Sequence, residues 1–212
     1  MERRLEALLE RIARSLAPRF DGMLAAETVE RCVRECHALL DRSAPIKTHL
    51  PVLTERFARE RLNALAKSQG LTVKAVPEVL YVCARKAGRS QMAAALTAHH
   101  ASGRVHVRTA GTGPAACVDP VVVRALAEIG LDAAVEFPEP LTDEIVRAAD
   151  VVVTMGCGVA CPVYPGKRYQ DWLLAEPEGA PIARVRRIRD HIDERVRELL
   201  DEFTDDLSAA RR

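Results

Sequence analysis

The stretch Val79–Leu96, VLYVCARKAGRSQMAAAL, most constrains what this chain can fold into. A β-branched apolar run ends on a cysteine, a short basic loop with one glycine follows, and a helix-forming run starts near an arginine and a serine. Strand, tight loop and helix in that order make half of a parallel α/β unit, because a second parallel strand can be added only after a crossover. Runs of the same kind recur downstream. Val79–Val82, Val105–Thr109, Val151–Thr154 and Arg168–Trp172 read as strands, and Gln91–His100, Pro120–Ile129, Asp143–Ala148 and Ile182–Glu202 read as helices. The expected fold class is α/β, a four-stranded parallel sheet flanked by helices.

The chain before this region has a different period. Leu5, Leu8, Leu9, Ile12 and Leu16 form an apolar stripe at helical spacing, and breaks at APRFDG and DRSAPIKTH divide residues up to Gln69 into helices near Arg3–Leu16, Ala25–Leu40 and Pro51–Lys67. A small three-helix bundle at residues 1–70, a linker at 71–77 and an α/β domain at 78–212 follow from this division. A hydrophobic share of 48% supports both cores, and with 4% aromatics those cores must be mainly aliphatic.

Charge narrows the partners. Against 31 basic residues stand 30 acidic ones, so no net field draws the chain to nucleic acid or to an anionic membrane. The helical segment, with 13 Lys and Arg against 10 Asp and Glu through Gly70, is only slightly basic. The N-terminus is charged throughout and no apolar run is long enough to span a bilayer. A cytoplasmic location is expected, in which the six cysteines are thiols and any disulfide is transient and chemical.

Cys83, five residues and Arg89 stand between the predicted strand and helix. Successive backbone N–H groups in such a loop can turn inward, and the helix start adds positive partial charge, which together cradle a tetrahedral oxyanion. The planar guanidinium of Arg89 can bind two anion oxygens in parallel. The same surroundings favour the attacking, anionic form of the Cys83 sulfur, to which Ser90 can donate a hydrogen bond.

Cys157 and Cys161 follow the strand predicted at Val151–Thr154 and stand four residues apart. On a helical turn their Cα atoms would be about 6 Å apart, inside the range of about 4.4–6.8 Å that a disulfide spans. Gly156, Gly158 and Pro162 flank them and suit a segment that rearranges. Loops at the carboxyl ends of parallel strands meet at one edge, so this pair can lie near Cys83 and act as a thiol relay. Zinc ligation and plain packing are the other readings, although no second ligand pair for zinc stands close by and no metal is expected.

VCARKAGRSQMA, RTAGT at 108–112, FPEPLTDE, ADVVVTMGC and CPVYPGKRYQDW resemble, in order, the low-molecular-weight protein tyrosine phosphatase superfamily, and within it the thioredoxin-coupled arsenate reductases. The resemblance runs from Pro77 to Phe203. It implies that Cys83 is the nucleophile and Arg89 the anion clamp, in an oxyanion loop of Ala84, Arg85, Lys86, Ala87, Gly88, Arg89 and Ser90. It implies arsenate as substrate, thioredoxin as partner and no bound cofactor.

It also implies an order of events. Cys83 attacks arsenate, Cys157 attacks Cys83 and releases arsenite, Cys161 displaces Cys83, and thioredoxin reduces the Cys157–Cys161 disulfide. The family's general acid is an aspartate before a proline after the fourth strand; the matching step here is Glu176-Pro177, which gives Glu176 that role. Lys86 stands where the family has an asparagine that shapes the loop.

Two other functions compete: a phosphatase using Cys83, Arg89 and Glu176 on phosphotyrosine or small phosphate esters, and an oxyanion-binding or thiol-sensing module with catalysis weakened at Lys86. By resemblance, helical extensions like residues 1–70 precede some members, and could serve a homo-oligomer. Other residues read as structural. Asp171 is a turn residue after its strand; Cys32 and Cys36 share a packing face with Val29, Val33 and Leu40; Cys117 is incidental; His99 and His100 suit a helix C-terminus. ARVRRIRDHIDERVRELL is an amphipathic helix with a solvated face.

Overall fold

The computed structural model describes residues 2–43, 47–84, 88–111, 118–132, 140–156 and 161–209. In chain order the elements are α1 (Glu2–Leu16), a 3-10 turn (Ala17–Arg19), α2 (Ala26–Ser43), α3 (Leu50–Ser68), β1 (Glu78–Cys83), α4 (Arg89–Ala101), β2 (His106–Gly111), α5 (Pro120–Ala127), α6 (Asp143–Ala148), β3 (Val151–Thr154), β4 (Arg168–Asp171) and α7 (Ile182–Ala209). They form two compact units, one of residues 1–75 with 142–148, the other of residues 76–141 with 149–212. Among the described residues no helix is long and apolar enough to cross a membrane.

The first unit packs α1, α2 and α3 against one another and α6 against α3. Leu9, Ile12 and Leu16 of the α1 stripe are buried, as are Val29, Val33, Cys36 and Leu40 along α2 and Phe57, Ala58 and Leu62 on α3. Leu5 departs from the expected stripe at 37% exposed, so the buried face starts one turn later. The short α6 is drawn into this unit partly by charge: Arg61 Nη2 donates to Glu144 Oε1 at 2.9 Å.

The second unit is a four-stranded sheet in the order β2-β1-β3-β4, parallel throughout. All six residues of β1 are buried, as expected of a central parallel strand covered on both faces. Tyr81, Met92, Leu96, Val153, Met155, Trp172 and Ile192 anchor its core. Along α7, Val185, Ile188, Ile192, Val196 and Leu199 recur at helical spacing and are buried, while Arg186 and Arg197 on the solvated face pair with Glu128 and Asp193. Asp119 caps α5 by accepting from the Val121 N–H at 2.9 Å, with Pro120 in the first turn, where its missing N–H has no intrahelical partner to lose.

Some ends differ from the sequence expectation. β1 begins at Glu78, a fully buried carboxylate held by Arg108 Nε at 3.3 Å and facing His106 Nδ1 at 3.5 Å. Because its charge is compensated inside, the strand extends one residue further than polarity suggests. At the other end, Cys83 is itself the last strand residue, and α4 starts at Arg89 rather than Gln91.

Candidate active site

Cys83 ends β1 with 3% of its surface exposed, and its Sγ lies 3.0 Å from Ser90 Oγ. Ser90 is fully buried in the first turn of α4, so the hydroxyl is held against the sulfur by the helix start. The first turn also places Arg89, 4% exposed. Its Nη1 donates to the Leu174 carbonyl at 3.0 Å and its Nη2 to Glu176 Oε1. The guanidinium is therefore fixed from the segment that follows β4, while the Glu176 side chain remains 59% exposed. Ala84 is half-buried. Arg85, Lys86 and Ala87, predicted to complete the loop, lie outside the described residues.

Gly88 supplies the close approach that joins this loop to the Glu176-Pro177 step. A Cβ at Gly88 would come inside 3.0 Å of Pro177 Cγ and within 3.5 Å of Val122 Cγ2. The glycine is required by this contact.

The end of β3 reaches the same edge. Val82 and Thr154 are paired in register, and the Met155 N–H donates to Val82 O at 3.1 Å, one residue before Cys83. Asp171, at the end of β4, accepts from Thr154 Oγ1 at 2.6 Å and from the Gly156 N–H at 3.1 Å. Gly156 itself has φ of +61°, where a side chain is strained. Cys157 follows immediately and lies outside the described residues; Cys161 is half-buried. From β4 the Trp172 N–H donates to Thr154 O at 2.7 Å, and the Trp172 ring packs 5.6 Å from Tyr81.

Cys83, Gly88, Arg89, Ser90 and Glu176 are thus brought together. Asp171 has a further task besides ending its strand, because it ties the strand end to the turn before Cys157. The Leu174 carbonyl, which holds Arg89, carries no side-chain signature that a sequence can display. Cys117 lies outside the described residues, and His100 Nε2 sits 2.6 Å from Asp193 Oδ1, away from this edge of the sheet.

The arrangement is a buried thiol against a hydroxyl, with a guanidinium from the same helix turn held by an exposed carboxylate. Residues 78–209 match the family model described as low molecular weight phosphotyrosine protein phosphatase. The chain belongs to that family. Residues 9–66 match a second model, the protein-tyrosine-phosphatase-like N-terminal domain, so both units of this low molecular weight phosphatase relative have counterparts. A thioredoxin-dependent arsenate reductase of Corynebacterium glutamicum is similar over 93% of this chain and 97% of its own, with 46% identity and a TM-score of 0.85. A Halobacterium salinarum protein provisionally named an arsenate reductase is 36% identical over 131 residues, 59% of this chain and 92% of its own. The glutaredoxin arsenate reductase of a Synechocystis strain is 29% identical over 126 residues, 58% of this chain and 95% of its own.

Proposed function

We propose that this protein reduces arsenate to arsenite through Cys83, Cys157 and Cys161, and that thioredoxin regenerates it. The observation that carries the reading is the bond from the Met155 N–H to Val82 O. It starts the segment bearing the second cysteine pair beside the strand that ends in Cys83. A phosphatase needs no second cysteine pair on the segment that follows. The likeness to a thioredoxin-dependent arsenate reductase along nearly the whole chain supports the same substrate and partner.

Arsenate binds in the loop from Ala84 to Ser90, with backbone N–H groups and the Arg89 guanidinium around its oxygens. The Cys83 thiolate attacks arsenic. A hydroxide leaves and takes a proton from Glu176, giving water and a sulfur–arsenic bond. Ser90, 3.0 Å from the sulfur, stabilises the thiolate before attack and after its release.

Cys157 then attacks the Cys83 sulfur as a thiolate. The electron pair of the breaking sulfur–arsenic bond stays on arsenic, which leaves as arsenite, and a Cys83–Cys157 disulfide remains. Cys161 attacks Cys157, expels the Cys83 thiolate and leaves a Cys157–Cys161 disulfide, which the thioredoxin dithiol reduces by exchange. Two electrons pass from thioredoxin to arsenic without a resident redox cofactor.

The test is NADPH oxidation with arsenate, thioredoxin and thioredoxin reductase, run beside Cys83→Ser, Cys157→Ser and Cys161→Ser. Arsenate-dependent turnover in the native protein and its loss in all three variants is the expected result. Turnover that survives in Cys157→Ser and Cys161→Ser would overturn the relay. Hydrolysis of an aryl phosphate with no arsenate turnover would make the protein a phosphatase.

A further inference from the structure

A second group of thiols lies in the helical unit. Cys32 and Cys36, one turn apart on α2, are 8% and 0% exposed. The Cys32 sulfur approaches Ala58 O at 3.9 Å, and Arg61, also on α3 and 6% exposed, donates from Nη1 to the Cys36 sulfur at 3.5 Å. Nη2 of the same guanidinium holds Glu35 at 3.1 Å and Glu144 at 2.9 Å. Packing alone explains two buried cysteines, but it does not explain a desolvated guanidinium laid against them.

That guanidinium also has capacity to spare. Its Nε is buried with no hydrogen-bond partner among the described residues, and so is the hydroxyl of Thr54, which stands on the Ala58 and Arg61 face of α3. An orphaned buried donor costs about 1–3 kcal/mol. The group is therefore two sulfurs one helical turn apart, with an unfilled N–H donor on the side chain that touches one of them.

We propose that Cys32 and Cys36 form a binding site for trivalent arsenic, in which both sulfurs bond to arsenic and its remaining hydroxyl accepts from Arg61 Nε. The reaction balances without an oxidant. Arsenous acid and two thiols give two sulfur–arsenic bonds and two waters, each hydroxide leaving with one thiol proton, and arsenic stays trivalent. The proposal rests on the reductase reading for its source of arsenite, which the catalytic edge would release.

The surroundings select this ligand over a soft metal cation. The Arg61 guanidinium, already paired with Glu35 and Glu144, has no lone pair to offer a cation, whereas neutral arsenous acid brings a hydroxyl that can accept from its free Nε. Among the described residues no group of three or more His, Cys, Asp or Glu side chains is placed to cage a metal. The two thiols also differ in readiness. A hydrogen bond from Cys36, with Arg61 nearby, outweighs burial and holds the Cys32 thiol below its usual range, while burial pushes Cys36 up. Cys32, the more exposed, bonds first and Cys36 closes the chelate.

The test uses the full chain carrying Cys83→Ser, Cys117→Ser, Cys157→Ser and Cys161→Ser, so that only Cys32 and Cys36 remain. Sodium arsenite is added; bound arsenic is read by native mass spectrometry and remaining thiols by titration. One arsenic per chain, two thiols protected and a raised thermal midpoint are expected. Adding Cys36→Ser should weaken binding about a hundredfold through loss of the chelate, and Arg61→Lys several-fold. If Cys36→Ser fails to give the native circular dichroism spectrum, Cys32→Ser at the more exposed thiol supplies the same comparison.

No arsenic on the folded four-serine protein would overturn the proposal. So would affinity unchanged by loss of either cysteine, or cadmium binding where arsenite does not bind. Arsenite capture is measured apart from arsenate turnover. A chain that captures arsenite but does not reduce arsenate sinks the reductase reading and keeps the site, and the converse result sinks the site alone.

Discussion

Replacing Gly88 by alanine tests how the proposed oxyanion loop is coupled to the Glu176-Pro177 step. The substitution places a methyl group where the Cβ would stand. That methyl would sit inside 3.0 Å of Pro177 Cγ, with Pro177 Cδ and Val122 Cγ2 each at 3.5 Å. To restore ordinary contact, the loop and the proline must separate by about 1 Å. Overpacking of this kind costs about 1–3 kcal/mol, and the smaller unfolded ensemble of alanine offsets about 0.4–1 kcal/mol of it. A net loss of about 1–2 kcal/mol lowers the thermal midpoint by roughly 2–8 °C for a chain of this size.

Pro177 carries Glu176 with it, and Glu176 is paired to Arg89. A shift of about 1 Å at the proposed acid and clamp should therefore lower arsenate turnover about 10²-fold. Thermal unfolding by circular dichroism and thioredoxin-coupled NADPH oxidation measure the two effects on one sample. A Gly88→Ala protein with native midpoint and native kcat/KM would refute the coupling.

Three more perturbations separate the parts of the site. Glu176→Gln keeps the side chain's size and removes its charge; kcat should fall about 10²–10⁴-fold with the general acid gone, while KM for arsenate also falls because Arg89 loses an anionic competitor. Steady-state kinetics showing an unchanged kcat would remove Glu176 from the proposed chemistry. Asp171→Ala strips the acceptor from Thr154 and Gly156, so the Cys83–Cys157 disulfide should form several-fold more slowly in single turnover. Asp171→Asn, which keeps an acceptor oxygen, should recover most of the rate; equal rates in both variants would argue against a positioning role.

In the helical unit, burial opposes ionisation of Glu144 but Arg61 outweighs it, leaving the carboxyl below its ordinary range. A lowered folded value gives stability that is complete above the unfolded carboxyl value of about 4.3 and lost as pH falls through the folded one. Urea midpoints taken across that acid range should fall less steeply in Glu144→Gln, and parallel curves would contradict this.

Much of this was legible because local period and packing agree. Val151–Thr154 and Asp143–Ala148 occupy the spans their patterns indicate, and the other strands and helices differ mainly at their ends. The misjudged ends have physical causes. A buried Glu78 looks like a boundary until Arg108 and His106, both arriving on β2, are beside it. Arg89 and Ser90 look like loop chemistry, yet they form the first turn of α4.

What no window of sequence could display are the distant contacts. Arg61 reaches Glu144 across 83 positions and draws α6 into the helical unit. The Leu174 carbonyl that orients Arg89 is a backbone atom, identical in kind at every residue. Cys32 and Cys36 read correctly as core residues, but the guanidinium that changes their chemistry comes from another helix.

The sheet explains why these parts meet. β1, β3 and β4 are adjacent and parallel, so their carboxyl ends share one edge, and their register fixes which residues leave it together. Val82 is level with Thr154, and Thr154 with Asp171. The next residues are therefore Cys83, the turn into Cys157, and the segment through Trp172 that brings Leu174 and Glu176 to Arg89. Slipping β3 by one residue would turn Val151, Val152 and Val153, all buried, to opposite faces of the sheet. The proposed nucleophile, relay segment and acid are thus held in relation by the same ladder that buries the core. Among the described residues, the loop positions where their spacing can drift are Gly88, Gly156 and the run from Leu173 to Pro177. Changes that tune the reaction without unfolding the sheet should therefore concentrate at those positions.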